Sequence, residues 1–169
     1  MIWLLELAAK YETELQGKFA DAFMDEHNLF YFGGGYMDKY KASDSTWNRH
    51  EFVSLNDGKV IGYLSYNINQ RTNSAEGMCA INFGGKSPTF SKDFMRFLKD
   101  IFEKYHFRKL SFGVYIGNPA ERMYDRYINK FGGRIVGIEK KSTMLADGNF
   151  YDYKMYEIFR DDYIRAVKP

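Results

Sequence analysis

Two hydrophobic periods alternate along the chain, and the switches between them mark its elements. Leu4, Ala8, Tyr11, Leu15, Phe19 and Ala22 recur at near-helical spacing, so residues 4–24 read as a helix. Gly17 weakens that pattern, and Met1–Leu7 reads alternatively as a short strand. FYFGGGY at 30–36 breaks any helix, because three successive glycines cost too much backbone order; it is a connector or a loop over a substrate. HEFVSLNDGKVIGYLSYNI consists of two β-rich runs around Asn56-Asp57-Gly58, a tight-hairpin signal, and a third run, GMCAINF, follows NQRTNS. Residues 50–83 are therefore expected to form a three-stranded antiparallel meander.

The helical period returns in FSKDFMRFLKDIFEKY. Phe94, Phe97, Leu98, Ile101, Phe102 and Tyr105 share one face, with Lys92, Arg96, Lys99 and Asp100 on the other. KLSFGVYI is a nearly continuous apolar run, as a central buried strand requires. GNPAERMYDRYINKFGG, residues 117–133, carries its own start and stop: Asn118 suits the cap, Pro119 the first position and Gly132 the end. Its apolar stripe is Ala120, Met123, Tyr124, Tyr127, Ile128 and Phe131, so two tyrosines one turn apart face inward and their hydroxyls need partners. GRIVGIEKKSTML and FYDYKMYEIF, around Asp147-Gly148-Asn149, form a terminal hairpin. The fold class is α+β with a mixed, mostly antiparallel sheet. A strand–helix–strand step over residues 77–116 pairs in parallel through a right-handed crossover.

Composition narrows this picture. A length of 169 residues favours one domain over 1–169. The balance of 24 basic and 22 acidic residues, net +2, gives no charge-based case for nucleic acid or a polyanionic membrane as partner. The single cysteine, Cys79, excludes an internal disulfide and points to a reducing compartment. Its place in a strand favours a packed thiol over a nucleophile. His27, His50 and His106 show no metal-ligand spacing, so no metal is expected. MIWLLELAAK is too short to span a bilayer and lacks a basic leader, so a cytoplasmic protein is expected. A symmetric homodimer is the default oligomer.

The element order resembles the GNAT superfamily of N-acetyltransferases over residues 50–160, and four stretches carry the likeness. GKVIGYLSY is similar to the family's early hairpin. VYIGN matches its fifth-strand signature, with Asn118 four residues after Val114. GGRIVG resembles the G-F-x-x-x-G run, with Gly133 in place of Phe. DGNFYDYKMYEI resembles the terminal run of branches similar to ribosomal-protein and polyamine acetyltransferases. The resemblance implies a V-shaped splay between the fourth and fifth strands, about four flanking helices, and acetyl-CoA as co-substrate for an amine acceptor.

It also implies site residues. The free backbone of Ile81, Asn82 and Phe83 would hold the pantetheine arm, and Asn118 would reach the coenzyme or simply cap its helix. The pyrophosphate loop departs from the family pattern. In NFGGKSPTFSKDF, Lys86 takes the basic position, Thr89 the first glycine and Ser91 the last small residue, with Gly84 and Gly85 upstream. Pro88 deletes one donor N–H. A plain helix cap at Ser87 or Ser91 fits those residues as well. The family's helix tyrosine protonates the departing thiolate; counting from Asn118 favours Tyr124 and counting back from Gly132 favours Tyr127, and because the N-terminal end of that helix faces the coenzyme in the family, the resemblance implies Tyr124. Glu76 or Glu51 is a candidate general base, and a water chain to bulk is an equal alternative. Tyr31, Tyr36, Tyr151 and Tyr153 are candidates for the amine entrance, since aromatic faces attract cations. Two expectations stay open: an active N-acetyltransferase on a primary amine, or an acyl-CoA-binding module of the same fold with little turnover.

Overall fold

The structure, a computed structural model, describes residues 5–23, 25, 28–30, 40–43 and 46–168. Its seven-stranded sheet runs, edge to edge, through Glu6–Leu7 (β1), Arg49–Asn56 (β2), Lys59–Asn69 (β3), Ser74–Asn82 (β4), Lys109–Tyr115 (β5), Phe150–Phe159 (β7) and Arg134–Met144 (β6). A two-residue strand β1 (Glu6–Leu7) and a 3₁₀ turn (Ala8–Tyr11) precede helix α1 (Glu12–Phe23), so both alternatives for the first segment are realised in turn. Gly17 is tolerated in α1 because it faces solvent, with nothing near the place a side chain would occupy.

The meander follows as β2 (Arg49–Asn56), β3 (Lys59–Asn69) and β4 (Ser74–Asn82). Asp57 and Gly58 both have positive φ, 49° and 76°, as the two central residues of a tight hairpin turn matched to strand twist. Helix α2 (Pro88–Glu103) crosses to β5 (Lys109–Tyr115), which pairs with β4 in parallel. Helix α3 (Glu121–Lys130) leads to the hairpin of β6 (Arg134–Met144) and β7 (Phe150–Phe159). A short helix α4 (Arg160–Val167), absent from the sequence reading, closes the described chain; only Tyr163 of it is buried.

Two apolar layers cover the sheet. Phe94, Phe97 and Ile101 of α2, Tyr124 and Ile128 of α3 and Tyr163 of α4 pack on one face. Leu15 and Phe19 of α1 pack with Val53, Tyr63 and Ile81 on the other. Helix α3 starts later than the sequence suggests. Asn118 Oδ1 accepts the Ala120 N–H at 2.8 Å, so 118–120 form a turn ahead of the first regular residue. Its end is as read: Gly132 has φ +73°, and the Gly133 N–H donates back to the Ile128 carbonyl at 2.9 Å. Gly133 stands where the family has Phe because Ile158 and Ile128 fill the space, 2.6 and 2.8 Å from any Cβ there. Met123, expected in the buried stripe, is 42% exposed.

One irregularity shapes everything that follows. Between Ser65 and Asn67 of β3 lies one residue, but between Cys79 and Glu76 of β4 lie two, with Gly77 at φ +61°. This bulge bends β4. The parallel ladder with β5 ends at the same place, after Ser74–Lys109, Ala75–Leu110 and Glu76–Ser111. Beyond it β4 and β5 diverge, giving the V-shaped splay.

Candidate active site

The splay opens into a cavity of about 780 Å³. Its walls come from the outer half of β4, the start of α2, and the turn entering α3. Backbone alternation decides which β4 groups face it. The Phe83 N–H donates to the Ile61 carbonyl at 2.9 Å, so Phe83, Ile81 and Cys79 direct their backbone groups toward β3. Ala80 and Asn82, between them, direct theirs toward the gap. The bulge also flips side-chain parity, so Ala80 and Asn82 line the cavity while Ile81 and Phe83 pack on the opposite layer. Of the three residues expected to hold a pantetheine arm, Asn82 directs its backbone groups to the gap while Ile81 and Phe83 direct theirs to β3, and Ala80 shares the side of Asn82.

At the α2 end, Lys86 and Ser91 line the cavity with Gly85, whereas Gly84 and Thr89 do not. The Asn82 side chain ties the loop to itself: its Oδ1 accepts the Gly84 N–H at 3.1 Å and its Nδ2 donates to the Gly85 carbonyl. Ser87 is the cap, with Oγ accepting the Phe90 N–H at 3.2 Å, and Ser91 Oγ donates to the Ser87 carbonyl at 3.1 Å. With Pro88 lacking an N–H and the Phe90 N–H taken, Thr89 supplies the remaining amide of the first turn. Lys86 is the charged residue of the lining, and it stands at the positive end of the α2 dipole.

On the α3 side, Asn118 lines the cavity. Its Oδ1 is spent on the turn, and its Nδ2 has no partner among the described residues. Tyr124 also lines the cavity, its ring packed against Phe112 (5.2 Å between centroids) and Phe94 (6.1 Å). Tyr127 does not. It borders a separate groove of about 540 Å³ between α2, α3 and α4, and its buried hydroxyl has no partner among the described residues. Burial pushes that hydroxyl's pKa far above its ordinary value. The two tyrosines are almost equally buried, 7% and 5% exposed, so burial alone does not separate them; the direction each points does.

The opposite face of the splay carries a second set. Phe112 and Val114 belong to the layer under α3, so Ser111, Gly113 and Tyr115 face away from it, with Glu76 beside Ser111 at the apex of the fork. The Tyr153 ring lies flat over Gly113, where a Cβ would fall 2.6 Å from its hydroxyl oxygen. Tyr115 and Tyr153 pack at 5.1 Å, and burial raises the pKa of both. Tyr151 lies further out, against Phe30 at 5.4 Å, donating to Asp147 Oδ2 at 2.7 Å. Tyr31 and Tyr36 lie outside the described residues, as do the three glycines between them.

Glu51 is buried and occupied. Its carboxylate accepts from the Tyr63 hydroxyl and from the Ser43 N–H at 2.5 Å, and Arg49 Nε lies 3.2 Å away. With the Tyr40 hydroxyl also donating to it, these contacts tie Tyr40 and Ser43 to β2. Cys79 packs on the same layer, and burial pushes its thiol up to about 11, far from nucleophile range.

No protein-family model matches this sequence, and no curated protein matches it either. Solved structures do. A probable GNAT-family acetyltransferase from Chromobacterium violaceum ATCC 12472 aligns over 92% of this chain and 81% of its own, with TM-score 0.64 and 15% identity. The chain has the GNAT fold. A spermidine N-acetyltransferase from Vibrio cholerae, in complex with CoA and spermine, aligns over 70% of this chain and 69% of its own, with TM-score 0.59 and 21% identity. Two further acetyltransferases are matched over 65% and 62% of their own length, less than two thirds. No helix among the described residues is long and apolar enough to cross a membrane.

Sequence reasoning missed Ala80, Phe90 and Met123 in the lining, and the buried Lys154 beside α3. The first three carry no chemistry to notice. For Lys154, a lysine alternating inward within a terminal strand was the available signal.

Proposed function

We propose that the chain is an acetyl-CoA-dependent N-acetyltransferase for a primary amine. One observation carries the reading: the cavity at the splay joins a β4 backbone edge, an α2 N-terminus with Lys86, and the Tyr124 side chain. A pantetheine arm extends along the edge at Ala80 and Asn82, as a partial strand. Its phosphates meet Lys86 at the N-terminal end of α2, and the Asn118 Nδ2 donates to the arm from across the cleft. The thioester then lies between Tyr124 and the fork.

The amine arrives from the other face, past Tyr153 and Tyr115. Its nitrogen attacks the thioester carbonyl, and a β4 amide, that of Ala80, donates to the developing oxyanion. The C–S bond breaks, and the Tyr124 hydroxyl donates its proton to the departing thiolate. At neutral pH an alkylammonium, with pKa about 10, first gives one proton to Glu76 at the apex, directly or through water, which frees the lone pair that attacks. The second proton, shed by nitrogen as the amide forms, leaves to water, and the Tyr124 phenolate is reprotonated from water. A cationic acceptor fits the aromatic approach, and spermine bound to the Vibrio cholerae neighbour supports polyamines as the first panel to try.

A second reading is a GNAT-fold acyl-CoA-binding module with little turnover, favoured by the depleted amides around Pro88. Thermal shift with acetyl-CoA and CoA tests binding: at ligand about 100-fold above Kd, stability rises by about 2.7 kcal/mol. Thiol release over a panel of polyamines, lysine peptides and amino acids then separates enzyme from module. No thermal shift at millimolar acetyl-CoA contradicts both.

A further inference from the structure

Lys154 is the buried cation among the described residues, on β7 between Val114 of β5 and Ile138 of β6. Its Nζ pairs with Glu121 and lies 3.3 Å from both oxygens of Asp125. These two carboxylates are one turn apart on α3, an arrangement that repels unless a cation bridges it. Neither is a bystander. Glu121 Oε2 accepts the Gly117 N–H at 3.1 Å, holding the turn that presents Asn118. Asp125 Oδ1 accepts the Tyr156 hydroxyl at 2.7 Å, and the Tyr156 ring stacks on Phe112 at 5.1 Å, the same ring that packs against Tyr124. Tyr124 sits between the two anchor points in sequence.

We infer that Lys154 is a positioning residue for the proposed transfer. By bridging Glu121 and Asp125 it fixes the height and rotation of the first turns of α3 on β7, and with them the Tyr124 hydroxyl at the cavity. A buried lysine is a costly way merely to hold a helix, since an apolar side chain of similar volume packs as well or better. What the charged bridge adds is direction: two fixed contacts flank Tyr124 and define its azimuth, where a greasy contact allows sliding. The Lys154 ammonium also holds the Glu121 carboxyl below the usual glutamate range, so the bridge stays ionised at neutral pH.

The inference rests on the role proposed for Tyr124, and a double-mutant cycle tests the two separately. The variants are Lys154→Met, Tyr124→Phe and both together, each measured for kcat in acetyl-CoA-dependent thiol release. A misplacement of about 1 Å costs up to about 10²-fold in rate, so Lys154→Met is expected to lose much of kcat. The double variant is expected to be no slower than Tyr124→Phe alone. A loss caused only by a looser fold would multiply with Tyr124→Phe instead. Should Lys154→Met fail to fold, Asp125→Asn replaces it in the same cycle, since Asp125 is partly exposed and keeps its shape. Lys154→Arg is expected to restore part of kcat. Multiplying effects, or an unchanged kcat in Lys154→Met, overturn the positioning role while leaving Tyr124 standing. An unchanged kcat in Tyr124→Phe overturns the acid assignment and the positioning role with it.

Discussion

Replacing Tyr127 by Phe removes one oxygen and nothing else, and the structure predicts that the protein gains from it. The Tyr127 ring packs against Phe131 at 4.6 Å and its side chain is 5% exposed, so ring burial survives the change. The hydroxyl is sealed from solvent with no partner among the described residues. An unsatisfied buried donor costs about 1–3 kcal/mol, whereas a satisfied one contributes about 1 kcal/mol. Tyr127→Phe is therefore expected to stabilise by about 1 kcal/mol, a Tm rise of roughly 2–4 °C for a chain of this size. Urea titration read by circular dichroism gives the free energy, and calorimetry gives Tm. The same variant is expected to keep its kcat, because Tyr127 borders a different groove from the one that holds Tyr124. Tyr124→Phe is expected to lose about 10²-fold or more in kcat while still binding acetyl-CoA. Destabilisation of 1 kcal/mol or more by Tyr127→Phe would show that its hydroxyl has a partner, a bound water included. Loss of kcat there, with Tyr124→Phe intact, would reverse the assignment of the two tyrosines.

Lys86→Glu is expected to weaken acetyl-CoA binding by about tenfold or more, with the difference from wild type shrinking at high salt; titration calorimetry at two ionic strengths checks it. Gly113→Ala drives a methyl into the Tyr153 phenol, so about 1–3 kcal/mol of stability is expected to go, together with a raised KM for the amine and unchanged coenzyme binding. Cys79 is expected to resist iodoacetamide in the folded protein at pH 8, its thiol having been pushed up to about 11; alkylation at the rate of a free thiol would contradict its burial. The same shift sets a sign: an unfolded cysteine ionises near pH 8.5, so this group's contribution is whole below that value and is lost as pH rises toward 11.

Local chemistry made much of the fold legible. Asp57-Gly58 names its own turn, the stripe from Phe94 to Phe102 names the buried face of α2, and Gly132 stops α3 where it stands. Each of these is set by residues within a few positions of one another. The short α4 was not legible, because its charged sequence has one buried anchor, Tyr163, and depends on packing against Phe102 at 4.7 Å. Lys86, Asn118 and Tyr124, singled out in the sequence despite departures from the family's loop and helix spacing, all line the cavity. The resemblance favours Tyr124 over Tyr127 because the N-terminal end of that helix faces the coenzyme in the similar family, and the structure puts Tyr124 on the cavity and Tyr127 on a different groove. The orientation of Ala80 against Ile81 and Phe83 was not legible either: alternation along β4 is fixed by its register with β3, and the bulge at Gly77 resets side-chain parity in the middle of the strand. Gly77 was visible in the sequence, but a single glycine does not announce a bulge.

The proposed transfer requires the thioester sulfur to lie beside the Tyr124 hydroxyl. A crystal structure of the protein with CoA measures that directly. The expected result is a pantetheine arm paired along β4 at Ala80 and Asn82, entering the splay beyond Glu76, with its sulfur within hydrogen-bond reach of the Tyr124 hydroxyl. A coenzyme bound elsewhere, or bound in the splay with its sulfur away from Tyr124, would contradict the proposed transfer.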